Sequence, residues 1–436
     1  MQTSQSFFRK TLVPLLLMLC CPPMAILVWH INLDMGGSLH AFMHLVIIQG
    51  FFSTLWEVWQ PIFFGSAIAW KMIFIFMATQ LILMRIIPGK TVYGPETPHG
   101  NIPTYKNNGF ACFLITLFLF CILSFKFALF SPTIIYDHFA GILGSLNVFS
   151  LLFCLLLYFK GRFAPSSSDH STTGNFIFDY YWGAELYPRI FGWDVKQFTN
   201  CRFGMMSWVL IIISFAAKQT ELFGLSNAMM ISVGIMLVYI AKFFYWEAGY
   251  LRSMDIMHDR AGFYICWGCL VWVPSIYTLP VMYLVNHPYN FSPIIAISIF
   301  VLGVLSVILN YWADAQRQKV RETAGNCTVF GKKPELIYAT YTNQQGDTKS
   351  SILLVSGFWG LSRHFHYLLE IAAAIFWTLP VLFVNFLPWF YVVFLIALLV
   401  HRSYRDEARC KIKYGSYWDQ YCAKVQNKII PWAKIF

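Results

Sequence analysis

The sequence predicts an all-α polytopic membrane protein of about ten transmembrane helices. Composition is the first reason: of 436 residues, 58% are hydrophobic and 12% charged, about half the usual share of charge. Phenylalanine alone occurs 42 times, an apolar surface that has to face lipid. The second reason is arrangement. Apolar runs long enough to span a bilayer stand near residues 11–31, 41–58, 67–86, 110–130, 136–158, 205–217, 228–246, 262–285 and 292–312. A last run, 369–400, is interrupted by Pro380 and Pro388 and reads as a helical hairpin.

Arg9 and Lys10 precede the first run, which lacks a small-residue cleavage site, so an uncleaved first helix with a cytosolic N-terminus is expected. Four polar segments separate the spans. Pro88–Gly109 holds Gly94-Pro95-Glu96-Thr97-Pro98 and Gly100-Asn101-Ile102-Pro103, a turn-rich loop. Gly161–Arg202 is the longest, with Ser166-Ser167-Ser168 expected as flexible loop. Asp314–Ser351 carries Lys332, Lys333 and the β-prone Leu336–Thr342, which suggests a small hairpin. The tail from Arg402 has eight lysines and arginines against three acidic residues. The positive-inside rule puts the last two segments in the cytosol. It also accounts for the net charge of +11 without nucleic acid as a partner, because the basic residues sit in short loops beside spans.

Leu353–Tyr367 is dense in glycine, aromatics, histidine and arginine, yet runs straight into an apolar helix. Such a segment at the mouth of a membrane span is costly unless it binds something, so it points to a site. Arg402–Tyr421 forms a second basic and aromatic cluster, the other wall of one pocket. No G-x-G-x-x-G follows a strand and no P-loop exists, so phosphates would be held by side chains. Arg317 and Arg321, four apart, share one helical face and suit phosphate oxygens; a solvated helix end is the plainer reading. Arg402, Arg405 and Arg409 are likewise spaced for one face, with Asp406 among them, and Tyr414 and Tyr421 offer rings for stacking. A polybasic tail lying on anionic lipid explains that spacing equally well. Cys266-Trp267-Gly268-Cys269 lies within a span and reads as packing. His40 and His44 share a helical face but lack a third ligand, so no metal is expected.

These residues resemble a known family. Leu353–Tyr367 is similar to the C-terminal signature of the sterol reductases, and Gly174–Arg189 (GNFIFDYYWGAELYPR) to the other one. The likeness runs from about Tyr93 to the C-terminus. It is closest to the plant-type Δ7-sterol branch, in segments such as Thr199–Trp208, Phe243–Tyr250, Met254–Pro274 and Tyr283–Pro288. The resemblance implies NADPH-dependent reduction of the C7–C8 double bond of a sterol, an endoplasmic-reticulum membrane (the cytoplasmic membrane in a bacterium), and sterol and bilayer as partners. It divides the chain into N-terminal transmembrane helices, 1–160, and a reductase core, 161–436. Carried over by position, the cofactor-binding residues are Arg317, Arg321, Leu354, Trp359, Arg363, His366, Tyr367, Arg402, Asp406, Cys410, Lys411, Lys413, Tyr414 and Tyr421. Most relatives have lysine where Arg317 stands and many have asparagine where His366 stands; the first motif usually ends Asn-Pro-Arg, here Tyr187-Pro188-Arg189.

An isolated or diene C=C is a poor hydride acceptor, so protonation of the alkene should come first, which requires an acid in a dry pocket. Tyr239, Glu247, Asp255, His258 and Asp259 are the candidates, with Tyr239, or Tyr239 backed by Glu247, first among them. The competing expectation is that Glu247, Asp255 and Asp259 pair with Lys242, Arg252 and Arg260 and only fix helix packing. Other activities remain open: a C14 or C24 sterol reductase, or a methyltransferase of the isoprenylcysteine type, whose ends the tail Arg405–Val425 also resembles. A transporter is disfavoured by the lack of an inverted repeat.

Overall fold

The computed structural model describes residues 7–97, 99–342 and 346–433; Pro98 of the turn-rich loop, the tip of the expected hairpin at 343–345, and the end of the basic tail at 434–436 lie outside the described residues. With no water in a bilayer core, backbone groups must bond within their own segment, and long apolar segments become helices. Among the described residues nine helices are long and apolar enough to cross a membrane: Phe8–Leu33, Ala67–Ile86, Gly109–Lys126, Phe139–Phe163, Gln197–Phe223, Asn227–Tyr245, Phe263–Asn286, Pro293–Glu322 and Leu387–Tyr414. The bent pair Leu39–Gln49 and Phe51–Ile62 makes ten if it counts as one span. The polytopic expectation is met, with a mostly helical chain and short strand pairs between helices.

Three departures have physical causes. The run expected as one span over 41–58 bends by 111° at Gly50, whose φ of +84° interrupts the helix in a conformation that other residues rarely adopt. The helix expected from 205 starts at Gln197, because its polar first turns are satisfied by protein. There Gln197 donates to the Lys106 carbonyl (3.0 Å) and Asn200 to the Tyr250 hydroxyl (2.9 Å). Finally, the span expected to end near 312 continues to Glu322, carrying Arg317 and Arg321 on one unbroken helix.

The chain forms two compact units. The first runs to Asn290 and includes Pro380–Trp389. In it the long polar segment folds around buried carboxylates. Asn175 caps the short helix Phe176–Trp182, its Oδ1 accepting from the Ile177 and Phe178 N–H groups (3.0 and 3.3 Å). Glu185, 3% exposed, accepts from Lys160 (2.7 Å). The serine stretch expected as loose loop is tied down: Ser166 donates to the Arg189 carbonyl and accepts from the Lys160 ammonium, and Asn101 donates to Ser168 and Asp169.

The second unit comprises Phe291–Leu379 and Phe390–Phe436. The helix Pro293–Glu322 leads to the antiparallel pair Leu336–Thr342 and Thr348–Leu354, in register from Leu336 opposite Leu354 to Thr342 opposite Thr348. This is the hairpin the sequence suggested. The short helix Phe358–Leu361 and the helices Phe365–Thr378, Phe390–Tyr414 and Ser416–Lys424 complete the unit. Alternation along the first strand turns Ile337 and Ala339 inward and Tyr338 outward. The inward face, with Leu353 and Val355, packs against Cys410, Tyr414, Trp418 and Tyr421. Each large side chain so buried contributes about 1.5–3 kcal/mol.

Candidate functional site

The second unit gathers the cofactor candidates around Trp359. After the second strand the chain turns at Gly357 (φ +68°), where a Cβ would stand 2.6 Å from Val329 Cγ1. The following N–H, of Phe358, donates to Gln316 Oε1 (3.0 Å), which fastens the short helix to Pro293–Glu322. Trp359 is thereby aimed at that long helix. Its indole N–H donates to the Ala313 carbonyl (2.8 Å), its carbonyl accepts from the Tyr421 hydroxyl (3.1 Å), and the Arg317 guanidinium lies 3.8 Å over its ring. Leu354 packs in the same cluster as Trp359, together with Ala313 and Leu369. Burial pushes the Tyr421 phenol above its ordinary value, so it remains a donor.

Segment 362–364 runs beside 427–429. The Arg363 N–H donates to the Asn427 carbonyl (3.0 Å), the His364 N–H to the Lys428 carbonyl (2.8 Å), and the Ser362 hydroxyl to the Ile429 carbonyl (2.7 Å). The Arg363 guanidinium is engaged by the Val425 and Gln426 carbonyls (2.6 and 3.0 Å) and by Glu407 (2.7 Å). Its role in this geometry is to hold the tail segment in place. The His366 ring lies 5.0 Å from Trp359 and 4.2 Å from Tyr367, while His364 stacks on Tyr367 at 5.1 Å with planes 6° apart. Two buried ring nitrogens here, His364 Nε2 and His366 Nδ1, have no hydrogen-bond partner. Burial, reinforced by His366, pulls the His364 pKa down to about 3, so its ring is neutral.

The helix Phe390–Tyr414 supplies the rest. Arg409 donates to Asp406 (2.6 Å), and the Cys410 thiol lies 4.0 Å from the same carboxylate. The Tyr414 hydroxyl donates to Ser351 (3.3 Å), and the Lys413 ammonium sits 4.1 Å over the Tyr341 ring. Arg321 lies within electrostatic reach of Cys410, Tyr414 and Tyr421, and His366 within reach of Arg317, Arg402 and Asp406. Most of the expected residues are therefore neighbours. Lys411 stands apart, 55% exposed and ion-paired with Asp419. His364, Gln316, Asn310 and Glu407 were not expected. Asn310 donates to the His366 carbonyl (2.8 Å), and Glu407 joins Arg363 to Lys428. His364 was legible only as a ring within a polar segment, since nothing in its spacing marks an open nitrogen.

The acid candidates lie in the first unit. Tyr239 packs on Trp208 at 5.6 Å, with the Lys242 ammonium 5.0 Å over its ring. Glu247 is 0% exposed and accepts from both terminal nitrogens of Arg202, one at 3.0 Å, and from the Gly109 N–H (2.9 Å). The partner expected for it was Lys242; the fold supplies Arg202 instead, because the first turns of Gln197–Phe223 are buried beside it. Asn108 accepts from the same guanidinium (2.9 Å). Asp255, Ile256 and Asp259 offer their carbonyls to the fully buried Lys196 ammonium, which fixes the loop that carries His258. Arg260 donates to the Ser171 and Ala184 carbonyls (2.6 and 3.3 Å). His40 and His44 are exposed on Leu39–Gln49, and among the described residues no group of three or more metal-ligating side chains occurs.

The structure is that of a many-span helical membrane protein whose second unit assembles arginines, aromatic rings and two unpartnered imidazole nitrogens. The chain belongs to the ergosterol biosynthesis ERG4/ERG24 family, the sterol reductases, whose profile matches residues 7–434. It is 51% identical to the 7-dehydrocholesterol reductase of Arabidopsis thaliana over 416 residues, 94% of each chain. It is 37% identical to the Xenopus laevis protein of that name, over 82% of this chain and 77% of the other. A Delta(14)-sterol reductase of Methylotuvimicrobium alcaliphilum is 36% identical over 81% of this chain and 80% of the other. The resemblance carried by the two motifs is thus borne out along the whole chain, which removes the ground for a methyltransferase.

Proposed function

We propose that the protein reduces the C7–C8 double bond of a sterol of the 7-dehydrocholesterol type with NADPH. The substrate half rests on the Arabidopsis relative, matched at 51% identity over 94% of each chain. The cofactor half rests on one observation, the Arg317 guanidinium stacked on a Trp359 ring pinned from two sides. The site passes a test of fit: its cations suit phosphates, its rings a flat heterocycle, and its unpartnered His364 and His366 nitrogens a polar group of the ligand. Arg317, Arg321, Trp359, His366, Tyr367, Arg402, Asp406, Cys410, Tyr414 and Tyr421 would hold the dinucleotide, with Leu354 and Arg363 supporting them and Lys413 and Lys411 further out. When bound, NADPH supplies hydride to carbon.

The chain's own chemical task is the proton. An acid must deliver it to the alkene, leaving a tertiary or allylic cation. Tyr239 is the first choice; Asp255, His258 and Asp259 follow. Glu247 accepts hydrogen bonds from three donors, which supports a packing role for it. Residues 161–436 form the reductase core in this reading. The pocket faces the cytosol of an endoplasmic-reticulum membrane, in keeping with the basic tail.

Incubating membranes that contain the protein with NADPH and 7-dehydrocholesterol should abolish the diene absorbance and form cholesterol. The C14 reductase is the second reading, favoured by the Methylotuvimicrobium relative. Unchanged diene with turnover of a Δ14 sterol would establish it instead.

A further inference from the structure

His364 is the one histidine of the signature segment to which the resemblance assigns nothing, and its surroundings are unusual. The side chain is 2% exposed, and Nε2 is a buried polar atom without a partner. A buried polar atom is normally hydrogen-bonded, and a bound ligand can supply the partner that His364 Nε2 lacks. His364 is tied at its backbone and lies beside an aromatic ring. Its backbone N–H is bonded to the Lys428 carbonyl, and its face lies flat on Tyr367. The His366 ring, 6.3 Å away, carries a second unpartnered buried nitrogen. Two open imidazole nitrogens therefore flank Tyr367 inside the candidate cofactor site.

We propose that His364 is a further cofactor-binding residue, its Nε2 bonding the uncharged carboxamide at the nicotinamide end of the dinucleotide. This rests on the NADPH reading above. A neutral imidazole offers no charge to a phosphate, and that demand is met by the Arg317 and Arg321 guanidinium groups. It offers one donor or one acceptor according to tautomer, and a primary carboxamide, which has both, matches either state. Neutrality follows from burial, which holds the pKa of His364 near 3.

Binding measured without turnover tests the assignment. Purified full-length protein in lipid nanodiscs is titrated with NADPH and, separately, with 2′,5′-ADP, which keeps the adenosine with its 2′- and 5′-phosphates but has no nicotinamide. His364→Phe keeps a ring on Tyr367 and removes both nitrogens; it should weaken NADPH about tenfold and leave 2′,5′-ADP unchanged. His364→Gln, which restores one polar group, should recover part of the loss. NADPH affinity unaltered in His364→Phe overturns the assignment, and so does equal weakening of both ligands, which would mean that the ring only shapes the floor. If the unmodified protein binds neither ligand, the dinucleotide reading fails, and this assignment with it.

Discussion

Arg202 and Glu247 form an ion pair in which both side chains are 0% exposed, the carboxylate also accepting the Gly109 N–H. Gly109 has to be glycine for this: a Cβ would stand 2.5 Å from Glu247 Oε2. Removing one member of such a pair strands the other charge, at a cost of about 3–5 kcal/mol. Glu247→Gln should therefore lower the unfolding temperature and the folded yield in detergent along with activity. A variant of normal stability that lacks only turnover would restore Glu247 as a chemical participant.

Arg321 lies near Tyr414 and Tyr421, and Arg317 covers Trp359. Arg321→Ala should raise KM for NADPH about tenfold or more while NADH, without the extra phosphate, changes little. Equal effects on both cofactors in steady-state assays would move this arginine away from the 2′-phosphate.

If Tyr239 is the acid, Tyr239→Phe should lower kcat by about 10²–10⁴-fold with NADPH affinity intact. Near-normal turnover would pass the role to Asp255, His258 or Asp259, each tested by its neutral isostere.

His366→Asn installs an amide where one imidazole nitrogen lies open. Since an amide also donates and accepts, NADPH affinity should change by less than about threefold in a direct titration. A large loss would show that the imidazole ring packed against Trp359, and not its open nitrogen alone, is what the cofactor uses.

The His364 pKa, about 3 in the folded protein against an ordinary 6.5, makes stability depend on pH. Between those values the unfolded chain binds a proton that the folded one refuses, so the contribution disfavours folding as pH falls below about 6.5 and vanishes above it. Melting curves from pH 7.5 to 5 should show a steeper decline for the unmodified protein than for His364→Phe. Parallel curves would contradict the assigned burial.

Much was legible in the chain itself. Spans such as 67–86 and 228–246 fall where hydropathy places them, because lipid rewards apolar length and that is a local property. Leu336–Thr342 reads as a strand for a similar reason, and two motifs pointed to the reductase family. The polar start of Gln197–Phe223 was hidden, since Thr199, Asn200 and Arg202 look exposed until their partners are known. Partner choice is the part that sequence leaves open. Arg202 meets Glu247 across 45 residues and Trp359 meets Ala313 across 46, and neither separation has a period. Local composition determined where the helices lie and which segments carry the family's motifs. Close packing determined that Glu247 is paired with Arg202, that Lys411 faces away, and that His364 keeps a nitrogen open, because burial and hydrogen-bond satisfaction are settled only when distant segments meet.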